Sequence, residues 1–257
     1  MKSPPPRSAC VAVLGPIGLL LGAMTAAPAH GADPSTYLLL PGVTQGEREL
    51  DTRYGVGSAG TTTRHQQDAG IGIGLGVGAN WFSEIAVQYR RIGRNGTALD
   101  GFEWENIVAL AEPGQWPVDV ALAIEVEQAH DSREGPALRA GPLLQGEYGR
   151  FQANLNVMAG RHIHSAEFQA TQLRYQAQVK YRYSRPLEVG LQAFGSLGSA
   201  SQTWSAYADQ VHRIGPVVLG RFVLPGERSI SYNAGYLLGT SAHSPDRTLR
   251  LQLEYEF

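Results

Sequence analysis

From Arg247 to Phe257 the chain alternates without a break. Leu249, Leu251, Leu253, Tyr255 and Phe257 fall on one face, and Thr248, Arg250, Gln252, Glu254 and Glu256 on the other. A tilted membrane-spanning β-strand needs about 9–11 residues with this period-two polarity. Such a strand cannot cross hydrocarbon alone, because its backbone N–H and C=O groups would find no partner there. The feature therefore predicts an all-β fold, a single antiparallel up-and-down transmembrane barrel in which this strand has neighbours on both sides.

The amino terminus is consistent with export. Lys2 and Arg7 precede an apolar stretch from Val11 to Ala26, and small residues follow around Ala27 to Gly31. This is the layout of a secretory signal peptide, with cleavage expected after Ala29 or Gly31. Residues 1–31 are read as the signal and residues 32–257 as the barrel. Cys10, the only cysteine, leaves with the signal, so disulfides and a cysteine-ligated metal are excluded from the mature chain. Loss of Lys2 and Arg7 takes the formal charge from −2 to −4, which offers no basic footprint for nucleic acid. The mean hydropathy of −0.19 looks like that of a soluble protein. Barrel strands cancel their own hydropathy, however, by facing lipid only at every second residue.

Eleven further alternating segments precede the last one. They centre on Leu50 to Val56, Gly70 to Val77, Glu84 to Arg90, Gly101 to Val108 and Val118 to Glu127, then Leu138 to Leu144 and Phe151 to Val157. Gln172 to Tyr183, Leu187 to Ala193, Val211 to Leu224 and Ile230 to Leu238 complete the set. Two segments break the pattern: Pro142 interrupts the sixth, since proline cannot donate to a ladder, and Val217 and Leu219 place apolar groups on the expected inner face of the tenth. Short joints near Ala79, Pro113, Tyr148, Arg185 and Gly226 alternate with longer ones near Thr61, Arg94, Asp131, His164, Gly198 and Ser241. Outer-membrane barrels have short periplasmic turns and longer external loops, so both termini are expected in the periplasm with about 12 strands, within a range of 10 to 14.

In a barrel, chemistry lies in the lumen or on the outer loops. The fourth and fifth segments carry Glu103, Glu105, Glu125 and Glu127 on the inward face, with Glu103 expected roughly opposite Glu125. Opposed carboxylates repel, so they must attract cations, share protons or pair with Arg139 and Arg90. Arg174, Lys180 and Arg182 form a basic ladder on the eighth segment, with Glu188 as a candidate partner. An acidic wall facing a basic one either sets a transverse field across a narrow pore or closes it with ion pairs. The glycines at every second position from Gly70 to Gly78 bare one face, either to leave room for a plug such as the segment after the signal or to let the strand bend around bulky neighbours. Bending is the preferred explanation. At the seam, Arg250 and Glu254 are expected to pair with Glu49, Asp51 and Arg53.

A lipid hydrolase would need a nucleophile and a base within reach of each other. His162 and His164 share a loop with Ser165 and Glu167, and His243 shares one with Ser241 and Ser244, without an ordered triad motif. No cofactor, metal site or enzymatic activity is expected. Trp81, Trp116, Tyr148, Phe151, Tyr183, Tyr255 and Phe257 fall near predicted periplasmic ends, where an interfacial aromatic girdle belongs. Trp204 lies in the longest outer loop.

The final strand, with Leu253, Tyr255 and terminal Phe257, resembles the carboxyl-terminal signal by which Gram-negative barrels are recognised for assembly. That resemblance implies the barrel-assembly machinery and periplasmic chaperones as partners, besides outer-membrane lipid and lipopolysaccharide. The hairpin from Phe102-Glu103-Trp104-Glu105-Asn106 through Leu110-Ala111-Glu112-Pro113-Gly114 to Glu125-Val126-Glu127 is similar to one in the outer-membrane family named after the MetA pathway of phenol degradation. Members are regarded as transporters, so the resemblance implies passage of small solutes through a mixed-charge lumen. The alternatives are an outer-membrane lipid hydrolase and a closed structural barrel.

Overall fold

The computed structural model describes residues 33–130, 135–164, 170–200 and 205–257. The signal peptide, Ser165, Glu167 and Trp204 lie outside them. Twelve strands form one closed antiparallel barrel. They are β1 (Arg48–Gly57), β2 (Gln66–Gly76), β3 (Trp81–Ile92), β4 (Ala98–Ala109), β5 (Val118–Ala129), β6 (Pro136–Tyr148), β7 (Phe151–His162), β8 (Gln172–Ser184), β9 (Leu187–Ser199), β10 (Val211–Leu224), β11 (Arg228–Gly239) and β12 (Arg247–Glu256). Each strand pairs with its sequence neighbours, and β1 closes on β12 from Glu49↔Glu256 to Gly57↔Thr248. Closure leaves no edge strand whose backbone would face lipid unpaired.

Period-two polarity decides which way each side chain points. Ile73, Ile85, Leu191 and Leu249 stand on the outer surface, whereas Asp51, Glu84, Glu105, Gln178 and Arg250 are buried inside. The hydrophobic outer face and polar interior invert a soluble protein, as a lipid-facing barrel requires. Indole donors near lipid are satisfied locally: Trp104 Nε1 donates to Ser83 Oγ at 3.0 Å and Trp81 Nε1 to Asn106 Oδ1 at 3.1 Å. Ile85, 63% exposed, presents a test of this surface. Ile85→Arg should lower stability in bilayers by about 2–4 kcal/mol if the residue sits near the midplane. Urea titration of the barrel refolded in vesicles measures it, and a change within about 0.5 kcal/mol, typical of ordinary surface sites, would mean that this face meets water.

The two irregular strands are both accommodated. Pro142 pairs with Leu122 on the β5 side, while the ladder to β7 passes from Ala140↔Ala159 directly to Leu143↔Asn156 in unchanged register. Pro216 produces the same gap towards β11, between Ile214↔Leu238 and Val217↔Gly235. A missing N–H thus costs one local interruption and not a strand. Val217 and Leu219 are buried inside, so the blurred alternation of β10 marks an apolar strip on the lumen wall.

Two expectations need correction. The joint between β4 and β5, residues 110–117, is longer than the one between β3 and β4, residues 93–97, so short and long connections do not alternate strictly. The β1/β12 seam does not close by charge pairs. Asp51 faces Glu254 across it, and Gln252 Nε2 bridges them, donating to Asp51 Oδ2 and to Glu254 Oε1 at 2.9 Å each. Phe257 lies at the short-turn end, its N–H bonded to the Arg48 carbonyl. The segment before β1, however, folds back up the lumen, and Pro34 packs against Gly55 and Gly57 near the long-loop end.

Candidate lumen site

A barrel of twelve strands is too wide for its own side chains to fill as they fill an eight-stranded one. Here residues 33–47 descend through the lumen as a plug. Leu38 and Leu39 are buried, and Leu39 belongs to an interior cluster with Phe82, Ile107 and Leu143. The Tyr37 hydroxyl donates to Glu105, and its ring lies under the Arg53 guanidinium, 3.6 Å from ring centroid to Cζ. Polar backbone on the plug needs partners inside the barrel. Leu39 N–H donates to Gln176 Oε1 at 3.1 Å, and its carbonyl accepts from Asn156 Nδ2 at 2.9 Å.

Glycines admit this segment. A Cβ at Gly55 would overlap the backbone of Pro34, and one at Gly76 the carbonyl of Thr44. The bare face of β2 therefore has two uses. Gly76 makes room for the plug, while Gly72 and Gly74 clear the bulky Glu84 and the Phe82 and Glu49 side chains. Room for the plug and room for bulky neighbours both hold, at different positions.

On the acidic wall the register is Glu103↔Glu127 and Glu105↔Glu125, one pair removed from the expected alignment. Arg139 clamps two of the carboxylates, Glu125 at 3.1 Å and Glu127. Arg53 collects Asp51, Glu84 and, at 3.7 Å, Glu103. Gln88 also donates to Glu103. Carboxylate oxygens of Glu103, Glu105 and Glu125 lie within 4.8 Å of one another. Each is engaged by a protein donor: Glu103 and Glu125 belong to the ion-pair network, and Glu105 accepts from the Tyr37 hydroxyl.

Arg90 does not join that wall. It sits at the long-loop end, 2.9 Å from Asp100, 3.1 Å from Asp68 and 3.9 Å from Asp33 of the plug. The basic ladder of β8 also disperses. Arg174 lines a cavity of about 90 Å³ beside the plug together with Glu125, Glu127 and Arg139, so it shares a chamber with the acidic wall and does not face it across a channel. Lys180 pairs with Glu188 at 2.6 Å as expected. Arg182 pairs with Glu147 at 2.7 Å at the short-turn rim, partly in solvent.

From the acidic strands the wall continues through β6 to β9 with a run of amides. Gln152 and Asn154 both donate to Gln145 Oε1 at 3.0 Å, Gln178 donates to Asn154 at 3.3 Å, and Gln192 donates to Gln178 at 2.6 Å. The chain ends at Arg250, whose Nη1 donates to Gln192 Oε1 at 2.6 Å. Inward Gln and Asn at alternating positions 152, 154 and 156 were visible in the sequence as polar residues, but their mutual bonding depends on the register of four strands. Below the plug, a vestibule of about 760 Å³ is lined from both walls.

Of the loop histidines, His243 Nδ1 lies 2.8 Å from the Ala208 carbonyl and His162 Nδ1 lies 3.3 Å from that of Gly135, while Ser165 and Glu167 of the first candidate set lie outside the described residues. Ser241 and Ser244 bond each other at 2.7 Å, and Ser244 also bonds the His212 backbone. His212 itself, unremarked in the sequence, stacks on Tyr207 and lies 3.0 Å from the Tyr175 hydroxyl, packing the loop before β10.

No protein-family model matches the chain, and no curated protein matches it. Solved structures do. An outer membrane channel from Pseudomonas putida F1 superposes with a TM-score of 0.59 at 11% identity, covering 87% of this chain and 98% of that one. The chain has the fold of an outer-membrane β-barrel. The KdgM porin follows the same path with a TM-score of 0.51 at 8% identity, over 81% of this chain and 98% of its own. The β domain of the Bordetella autotransporter BrkA reaches 0.50 at 12% identity, over 83% and 99%. At such identities the likeness is one of fold, and the lumen contents are this chain's own.

Proposed function

We propose that the protein is a non-enzymatic outer-membrane channel for small polar solutes, closed at rest by its amino-terminal segment. The observation that carries the reading is the lumen itself. It is lined by charged and amide side chains, it opens into a 760 Å³ vestibule, and the segment before β1 runs through it. The plug is held by hydrogen bonds, the Tyr37 ring contact, the Asp33–Arg90 pair and the packing of Leu39, but as one continuous segment it can leave as a unit, whereas interdigitated wall side chains cannot. The vestibule also argues against a purely structural barrel, whose interior would be filled to native packing density.

Membership of the MetA-pathway family is the finer form of this proposal, supported by the Phe102–Glu127 hairpin. Tyr255 and Phe257 would then act as the assembly signal towards the barrel-assembly machinery and its chaperones, and the outer belt would meet lipid and lipopolysaccharide. Purified protein in planar bilayers tests the channel reading. The expected result is brief openings from a mostly closed state in neutral solutions of potassium chloride; silence under all voltages and salts, with the plug present and absent, would remove it.

A further inference from the structure

We infer that the outer rim of the barrel between β12 and β3 binds the phosphates of a diphosphorylated glycolipid in the outer leaflet. This rests on the outer-membrane placement of the barrel and deepens the lipid contact proposed above by naming a headgroup and the side chains that hold it. Three segments at the long-loop end, residues 58–67, 91–97 and 240–247, carry Arg64, Arg91, Arg94 and Arg247 against one carboxylate, Asp246. All four arginines are exposed. Arg64, Arg94 and Arg247 make no side-chain hydrogen bond or ion pair with the described residues, and Arg91 donates only to the Asn95 carbonyl, at 3.1 Å.

Register sets these groups on one continuous stretch of wall. Arg247 lies beside Ser58, whose N–H donates to the Arg247 carbonyl at 2.9 Å; Val56 then pairs with Gln67, and Gln67 with Arg91. Arg247 shares the phase of Leu249 and Leu251 along β12, and Arg91 that of Ile85 and Tyr89 along β3, so both point away from the lumen at the outer ends of their strands. Three strand spacings of about 4.8 Å put the two strands about 14 Å apart. Arg64 and Arg94 stand on the joints above.

The surface beneath is apolar. Tyr54, Ile71, Tyr89, Leu249 and Leu251 are exposed on the same sector of the belt, where acyl chains lie. An outward arginine at this height draws an anion from the headgroup layer, and its planar fork matches two phosphate oxygens at once. Two phosphates on one headgroup let Arg91 and Arg247 be engaged by the same molecule. A zwitterionic phospholipid brings an ammonium that would meet four guanidinium groups and a single carboxylate, so charge selects against it.

Native mass spectrometry of the full mature chain in a non-ionic detergent tests this with diphosphorylated lipid A, monophosphorylated lipid A and phosphatidylcholine. The diphosphorylated form is expected to be retained at least tenfold more tightly than phosphatidylcholine, with the monophosphorylated form between them. Arg91→Gln combined with Arg247→Gln should weaken it at least tenfold while the barrel remains folded by circular dichroism. Arg48→Gln combined with Arg228→Gln, at the short-turn rim, should leave it unchanged. Equal retention of the three lipids by the wild-type protein overturns the inference without need of a variant, as does a first pair of substitutions that weakens binding no more than the second. Parallel conductance measurements separate the two readings. A barrel that conducts without lipid preference loses only this site, and one that selects the lipid but never conducts keeps the site and loses the channel.

Discussion

Removal of residues 34–46 from the mature chain should convert a mostly closed barrel into a steadily open one. The deletion takes away Tyr37, whose hydroxyl engages Glu105, and Leu39, whose backbone is held by Gln176 and Asn156. Nothing in the wall can replace that volume, because the wall was built around it; Gly55 and Gly76 have no side chain to fill the gap. Milder changes should grade the effect. Tyr37→Phe keeps the ring over Arg53 but leaves a buried carboxylate short of one donor, a loss of about 1–3 kcal/mol. Since about 1.4 kcal/mol is a factor of ten in an equilibrium, openings should become about tenfold more frequent or more. Gly55→Ala pushes on the plug backbone from the other side and should also favour opening. Single-channel recording checks all three. If deletion leaves conductance unchanged, the segment does not occlude the path and the gating part of the proposal is lost.

Loss of Arg53 should be the most damaging single substitution. Its guanidinium is buried and meets Asp51, Glu84 and Glu103 as well as the Tyr37 ring. Arg53→Met keeps much of the volume but strands three carboxylates in the interior. Breaking a buried ion pair by removing one partner typically costs about 3–5 kcal/mol. Arg53→Lys should lie between the two, because an ammonium carries the charge without the planar fork that reaches several partners at once. Urea midpoints of the refolded barrel provide the measurement. A methionine variant within about 1 kcal/mol of the wild type, the range of an exposed pair, would mean that water reaches these carboxylates and that the network is not the keystone of the lumen.

Most of the scaffold was legible. Val118 to Glu127 alternates so cleanly that β5 could be placed from it, and the same holds for Gln172 to Tyr183 and for the last strand. Even Pro142 misled little, since a single absent donor interrupts one ladder and leaves the register intact. The inward set was also legible as a set: Glu103, Glu105, Glu125, Glu127 and Arg139 do face the lumen together. Their partners were harder. Arg90 and Arg53 both sit on inward positions near the acids, yet Arg90 joins aspartates at the outer end and Arg53 forms the hub. A difference of a few residues in height along the barrel decides this, and height follows from joint lengths and register.

Periodicity is a local property, so the sequence alone determined strands, faces, closure and an exported, lipid-facing barrel. Which charges touch, and what fills the space between the walls, required tertiary structure. Tyr37 meets Glu105, Leu39 meets Asn156, and Arg250 meets Gln192 across long stretches of chain. No short-range pattern encodes such meetings. They exist only once twelve strands have closed at one register, leaving a lumen wide enough to take its own amino-terminal segment and too wide to be filled by side chains alone.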